Sequence, residues 1–164
     1  MAETLASARN SLLWLVALVG LALVVGGAGG AFTSAAIPTW YAELTKPPLT
    51  PPNRVFPIVW TTLYVFMGVA QWLVWRRGGF RAHPTAHLIY LLQLAFNFLW
   101  SLIFFGLHEP KLALIEVAAL LLAVGFTLRA FGRIDALAGW LLAPYLAWVS
   151  FATYLNFEIV ILNP

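Results

Sequence analysis

The sequence predicts an all-α membrane protein, a bundle of five transmembrane helices with a Pro-rich loop between helices 1 and 2 that caps an internal ligand cavity. Of its residues 62% are hydrophobic and 9% are charged, whereas ordinary soluble proteins carry about 25% charged residues. Five apolar runs are long enough to span a bilayer, which takes about 20 residues each. We therefore predict one transmembrane domain over residues 1–164, with helices at about 11–33, 54–76, 84–107, 111–131 and 135–161.

The loop between helices 1 and 2 is predicted from its prolines. Four of them lie between positions 47 and 52, after the aromatic pair Trp40 and Tyr41. Proline fixes φ, lacks a backbone donor and keeps the preceding residue out of the helical region. The segment is therefore expected to be a stiff, extended cap over the mouth of the bundle.

Charge and composition exclude several classes of function. The absence of cysteine excludes disulfides, thiol catalysis and Cys-ligated metals. The nine Lys and Arg residues lie mostly beside helix ends, which is typical of orientation signals rather than of a nucleic-acid surface. Six of them fall on the side of the N-terminus and three on the other, so the positive-inside rule places the N-terminus in the cytoplasm.

Helix 1 is expected to follow a polar segment of about twelve residues that is disordered or interfacial. The helix carries Ala22, Gly26 and Gly30 at successive spacings of four. Small residues on one face allow close approach of a neighbouring helix. This face is predicted to pack within the bundle, with a homodimer contact or a thin wall beside a ligand as alternatives.

Helix 2 places Phe56 and Trp60 on one face, because residues four apart are neighbours on a helix. An indole N–H in hydrocarbon needs a partner, so Trp60 is expected to face the bundle interior. Trp72 and Trp75, which lie at the other end of this helix beside two arginines, are interpreted as interfacial anchors without a further role.

His83, His87 and Glu116 are the titratable groups considered for chemistry. His83 and His87 are four residues apart, as in some metal sites, but Pro84 lies between them. A solvated interfacial loop is the preferred interpretation, without a metal site. On helix 4, Glu116 is an intramembrane carboxylate and therefore a functional candidate. A structural role, in which it reaches the interface or pairs with Lys111 or Arg54, is preferred to proton chemistry.

Helices 3 and 5 supply the remaining interior candidates. Gln93, Asn97 and Trp100 share one stripe of helix 3, which predicts either interhelical hydrogen bonds or the polar rim of a ligand pocket. On helix 5, Pro144 is expected to bend the helix. Beyond it, Ala152 lies between larger residues and leaves a notch that suits a flat apolar ligand.

Residue types alone therefore indicate a binding protein. The chain has no nucleophile with an adjacent base, no paired carboxylates and no phosphate loop. What remains is an aromatic cavity with a few amides beneath a stiff cap, which suits a large, flat, hydrophobic molecule.

Three segments resemble one known family. W-Y-x-x-L-x-K-P-x-x-x-P-P at 40–52, followed by V-F-P and W-T-x-L-Y, resembles the signature of the TspO/MBR family, also called translocator proteins, tryptophan-rich sensory proteins or peripheral-type benzodiazepine receptors. QLAFNFLWSLIFFG at 93–106 and PYLAWVSFATYLNF at 144–157 match as well. The resemblance covers about residues 20–160 and implies a bacterial member that is a multi-pass protein of the cell envelope membrane, often a homodimer.

The resemblance also implies ligands and a site. The family binds porphyrins such as protoporphyrin IX and synthetic isoquinoline carboxamide and benzodiazepine ligands; no cofactor is required, and a haem-like tetrapyrrole is the expected ligand. No catalytic or metal residues are expected, and the partners are this ligand, the lipid bilayer and a second copy, with no nucleic acid. Carried onto this chain, the ligand-binding residues are Ala31, Trp40, Phe56, Pro57, Trp60, Asn97, Trp100, Leu112, Ile115, Trp148, Ala152, Leu155 and Phe157.

Two departures from the family bear on activity. Phe157 stands where the cholesterol motif of animal members has a Tyr, and no basic residue follows it, so sterol recognition through that motif is not predicted. Some bacterial members degrade porphyrin in light using two tryptophans; one matches Trp60, but the other is Phe157. A receptor or sensor is therefore preferred, with a transporter of tetrapyrroles or other hydrophobic molecules and a light-dependent porphyrin-degrading enzyme as alternatives.

Overall fold

A computed structural model describes the backbone of residues 2–164 and the side chains of residues 9–164. Five helices in it are long and apolar enough to cross a membrane, which confirms the predicted five-helix fold. The five long helices are α1 (Ala2–Ala36), α3 (Val55–Trp75), α5 (Pro84–Ser101), α6 (Pro110–Ile134) and α7 (Ala136–Leu162). Two one-turn helices, α2 (Trp40–Glu43) and α4 (Gly79–Ala82), lie in the first and second loops.

The long helices form a closed ring. Helix α1 packs on α3 and α5, α3 packs on α7, α7 on α6, and α6 on α5. The central helices alternate in direction because their connections are short. The ring encloses a core in which aromatic residues dominate, among them Tyr90, Tyr145, Phe104 and Phe131, all at most 2% exposed.

The ends of α1 and α3 differ from the sequence-based interpretation. Helix α1 begins at Ala2, so the segment expected to be disordered or interfacial is helical. Trp72 is more than an interfacial anchor, because its indole N–H donates to the Ser11 carbonyl at 2.9 Å. Trp75 lies against Trp14 with ring centroids 5.3 Å apart. These tryptophans fasten the end of α3 to the part of α1 around Ser11 and Trp14.

Helix α5 continues into a π-helical turn, Leu102–Gly106, which the sequence did not predict. A π turn holds one residue more than an α turn and shifts the faces that follow it. Phe104 and Phe105 are both buried here, their rings 4.7 Å apart. Helix α7, in contrast, runs continuously through Pro144.

Candidate functional site

A cavity of about 360 Å³ lies between α1, α3 and the end of α5. Its wall combines glycines of α1, aromatic rings of α3 and α5, and a few hydroxyl and amide groups. The residues that line it are Leu23, Gly26, Gly27, Gly30, Thr33 and Ser34 of α1, Ile37 of the turn that follows it, Asn53 of the cap, Phe56, Pro57, Trp60, Thr61 and Tyr64 of α3, and Trp100, Ser101 and Phe105.

The cavity exists because α1 and α3 touch at one end and separate at the other. A Cβ added to Gly68 would lie 2.5 Å from the Cα of Val19, so the two backbones are in contact there. Gly26 is in close contact with the ring of Tyr64. Gly27 and Gly30 have no atom within 4 Å of an added Cβ, so these glycines border open space. The stripe of small residues thus serves contact within the bundle at Ala22 and Gly26 and borders the cavity at Gly30.

Trp60 is the centre of the aromatic wall. Its ring centroid lies 5.8 Å from Tyr64, 6.5 Å from Trp100, 6.3 Å from Tyr145 and 6.4 Å from Trp148. Offset and edge-on arrangements at these separations are favourable for aromatic pairs. The rings therefore hold one another in place and leave a firm, flat-sided wall.

Behind this wall, amides connect the helices. The Tyr64 hydroxyl donates to Asn97 Oδ1, and Asn97 Nδ2 donates to the Tyr145 hydroxyl at 2.8 Å. The Trp100 indole donates to Asn156 Oδ1 at 3.2 Å, and the Asn156 amide donates to the Pro110 carbonyl at 2.9 Å. The interhelical interpretation of Asn97 and Trp100 is therefore correct, and Trp100 also lines the cavity.

The proline-rich cap is fastened at both sides. Tyr41 is buried against Phe104 and Phe105, and burial raises the pKa of its hydroxyl. At the other side, the Thr45 N–H donates to Asn163 Oδ1 and the Asn163 amide donates back to the Thr45 carbonyl, both at 3.0 Å. The cap is thereby tied to the end of α7.

The structure brings together only part of the site implied by the family resemblance. Phe56, Pro57, Trp60 and Trp100 line the cavity. Asn97 bonds to Tyr64 and Trp148 lies against Trp60, so both lie behind the wall. Ala152 and Leu155 are half-buried and buried, outside the cavity wall. Trp40 of the cap stacks on His108, which precedes α6, with ring centroids 4.5 Å apart.

Nine of the thirteen implied ligand-binding residues do not line the cavity, and four of these nine are exposed. Leu112, Ile115 and Phe157 are 48%, 72% and 49% exposed on the outer surface of the bundle. Ala31 is exposed as well and is absent from the cavity wall, which its neighbour Gly30 lines instead. Adjacent helical residues point about 100° apart, so a shift of one position decides whether a residue faces the cavity.

Glu116 does not form the ion pair expected for it. Neither carboxylate oxygen has a hydrogen-bond partner among the residues that the structure describes, and Lys111 and Arg54 are not paired with it. The Trp148 indole N–H also lacks a partner within the described part of the chain. An unpaired carboxylate inside a membrane is costly, so Glu116 remains a functional candidate.

The segment with His83 and His87 also differs from the solvated interfacial loop that the sequence suggested. Helix α5 begins at Pro84, so His87 lies in its first turn and is only 4% exposed, against the ring of Phe80. Proline is well tolerated in the first turn of a helix. Among the described residues no group of three or more His, Asp or Glu could hold a metal ion.

One ion pair was not predicted from the sequence. Arg77 donates from Nε and Nη2 to Asp135 Oδ2, at 3.0 and 2.7 Å. Asp135 also caps α7, accepting from the N–H groups of Leu137 and Ala138. The hydrogen bond from Arg77 is the main reason that the pKa of Asp135 lies below its usual range. An Asp directly before an apolar helix is a capping signal, which could have identified its role but not its partner.

Comparisons with known proteins agree with this architecture. The TspO/MBR family matches residues 18–162. Tryptophan-rich protein TspO of Chlorobaculum tepidum is 40% identical over 157 residues, covering 95% of this chain and 99% of the relative. Tryptophan-rich sensory protein of Cereibacter sphaeroides is 44% identical, covering 76% and 77%, and the human translocator protein is 42% identical, covering 72% and 71%.

The range of the family match agrees with the observed fold. The match extends from within α1 to the last residue of α7 and includes every helix that builds the cavity. The chain is therefore a multi-pass integral membrane protein and belongs to the TspO/MBR family.

Proposed function

We propose that this protein is a membrane receptor or sensor that binds a porphyrin-type tetrapyrrole, or a similar flat hydrophobic molecule, in the cavity between α1 and α3. The observation that carries the proposal is the wall formed by Phe56, Trp60 and Trp100 opposite a row of glycines. A flat ring can stack on the aromatic side, while the glycines leave room for its other face.

The size and polarity of the cavity support this ligand class. Ligand sites commonly measure about 300–1,000 Å³ and are mostly apolar, with a few polar groups that fix orientation. At about 360 Å³, this cavity holds part of a tetrapyrrole. The rest of the ligand extends out of the cavity between α1 and α3. Thr33, Ser34 and Asn53 lie along the wall and are suited to hydrogen bonding with carboxylate or carbonyl substituents.

A titration with protoporphyrin IX in the dark tests the proposal. The Soret band and tryptophan quenching are followed for the wild type and for Trp60→Ala. Loss of stacking and contact at Trp60 is expected to weaken binding about tenfold or more, which corresponds to about 1.4 kcal/mol.

Trp140→Ala is the matched control, because Trp140 is 75% exposed on α7 and does not line the cavity. It removes one indole and should leave the affinity unchanged. Partitioning that never saturates, or an equal affinity in all three proteins, would exclude this cavity as the porphyrin site.

A further inference from the structure

The interior of the bundle contains a second polar region that the ligand cavity does not use. On α5, His87, Tyr90 and Gln93 follow one another at spacings of three, and Asn97 continues the same stripe. These four side chains are at most 4% exposed. Buried polar groups in a membrane protein normally face protein or water and carry a role.

The facing stripe on α3 is aligned with it. Tyr64 pairs with Asn97 through a hydrogen bond, and one turn further Met67 Sδ accepts from Gln93 Nε2 at 3.8 Å. The two helices are antiparallel, so increasing residue numbers on α3 lie opposite decreasing residue numbers on α5. Gln71, one turn beyond Met67, therefore lies at the level of Tyr90.

Besides the two ring nitrogens of His87, three polar atoms in this region have no hydrogen-bond partner among the described residues. Gln71 Oε1, Tyr90 Oη and Gln93 Oε1 are buried, and none has a hydrogen-bond partner among the described residues. Nearly all buried polar atoms in proteins are paired with protein groups or with ordered water. Two acceptors and a hydroxyl on facing turns offer the two to four partners that one internal water needs.

We propose that Gln71, Tyr90 and Gln93 form a water-binding track that carries water from the membrane face at which α5 begins to Tyr64, at the floor of the ligand cavity. Buried His87 is the first polar side chain of the track, and Asn97, bonded to Tyr64, is the last. Ten residue steps separate these two side chains, which corresponds to about 15 Å along the helix.

The track is independent of what the cavity binds. Its four α5 residues do not line the cavity, and Tyr64 is the point at which the two meet. Its ligand is water, so the proposal stands or falls separately from porphyrin binding.

Solid-state NMR of the full chain in bilayers tests the track directly. Gln71 and Gln93 are the only two glutamines in the sequence, so side-chain ¹⁵N labelling of glutamine reports on this region, and ¹⁵N labelling of asparagine supplies two reference amides. Exposed Asn53 is a wet reference. Asn156, 1% exposed and bonded to Trp100 and Pro110, is a dry reference. Transfer of magnetisation from water to both glutamine amides is expected to be several times faster than to Asn156. Transfer no faster than to Asn156 would overturn the proposal.

Deuterium exchange tests whether the track reaches the cavity floor. In the double variant Gln71→Leu/Gln93→Leu, exchange of the Asn97 side-chain amide is expected to slow several-fold. Thr127→Val is the matched control, since Thr127 is buried but its hydroxyl already donates to the Ala123 carbonyl of its own helix. Unchanged exchange in the folded double variant would mean that water arrives by another route and would overturn the track. The wild-type NMR measurement decides the proposal if that variant does not fold.

Discussion

The two halves of the α1–α3 pair use glycine in opposite ways. Toward the end of α3, Gly68 brings the backbones into contact at Val19. Toward the cap, Gly27 and Gly30 border open space and, with Gly26, line the cavity. The same residue type therefore closes one half of the bundle and opens the other. In the membrane, where helix association depends on close contact, the closed half supplies the stability that allows the open half to stay hollow.

Gly68→Val is expected to have the largest effect, because it breaks the closed half. Its Cβ would lie 2.5 Å from the Cα of Val19, which is backbone and cannot rotate away. Overpacking of this kind costs about 2–3 kcal/mol of the free energy of unfolding. The thermal midpoint in detergent should fall, whereas Gly27→Val, with no atom near its added Cβ, serves as the control. Equal midpoints would show that the two halves do not differ.

Gly30→Leu is expected to fill the open half without breaking it. No atom lies within 4 Å of an added Cβ at this position, so the free energy of unfolding should change by less than about 0.5 kcal/mol. The new side chain occupies the cavity, and the affinity for protoporphyrin IX should fall about tenfold, equivalent to about 1.4 kcal/mol. An unchanged affinity in a stable variant would place the ligand elsewhere.

Asp135→Ala is expected to loosen the closed end, where Arg77 joins the last turn of α3 to the start of α7. Loss of the cap costs about 1–2 kcal/mol. Because the pKa of Asp135 is lowered in the fold, its contribution is present above the unfolded pKa of about 3.9 and is lost as the pH falls through the folded value.

Unfolding measured at several pH values checks this sign. The wild type and Asp135→Ala should differ near pH 7 and converge in acid. Arg77→Met, which keeps the cap and removes only the ion pair, is the control and should cost about 0–1 kcal/mol. A difference between wild type and Asp135→Ala that persists in acid would contradict the role of the carboxylate charge.

Asn163→Ala is expected to act on the open end, by releasing the cap from α7. It removes two hydrogen bonds to Thr45, each of which contributes about 1 kcal/mol or less at an exposed position. The cap should exchange its amide hydrogens faster over residues 44–54, as mass spectrometry can measure. Lys46→Ala is the control, because the Lys46 amine donates to the carbonyls of Ala42 and Leu44 within the cap. This variant loosens the cap but does not release it from α7.

The sequence predicts features that depend on composition and period, and misses those that depend on register between helices. The five spans follow from the length of apolar runs, and the inward face of Trp60 and Asn97 follows from helical spacing. The pairs Arg77–Asp135 and Thr45–Asn163 join residues 58 and 118 positions apart, and no local pattern connects them. Ala31, Leu112 and Ile115 were carried over from a resemblance and are not on the wall of this cavity, so their contact with a ligand stays a prediction.

His87 and Glu116 show a second limit. Whether a titratable side chain near the end of a span is solvated or enclosed depends on the neighbours that other helices provide. Pro84 indicates the start of a helix as well as the end of one, and the sequence alone favoured the wrong choice for His87. For Glu116, the nearby cations Lys111 and Arg54 suggested partners that the fold does not bring to it.

The π-helical turn at Leu102–Gly106 has a consequence for comparing relatives of different length. Its additional residue lets Phe104 and Phe105 both point inward, and a π turn can lose one residue and relax to an α turn without disturbing the rest of the helix. Single-residue deletions elsewhere in α5 would rotate everything beyond them by about 100°. This turn is therefore the place in the third span where insertions and deletions should accumulate, and where a gap in an alignment is physically meaningful.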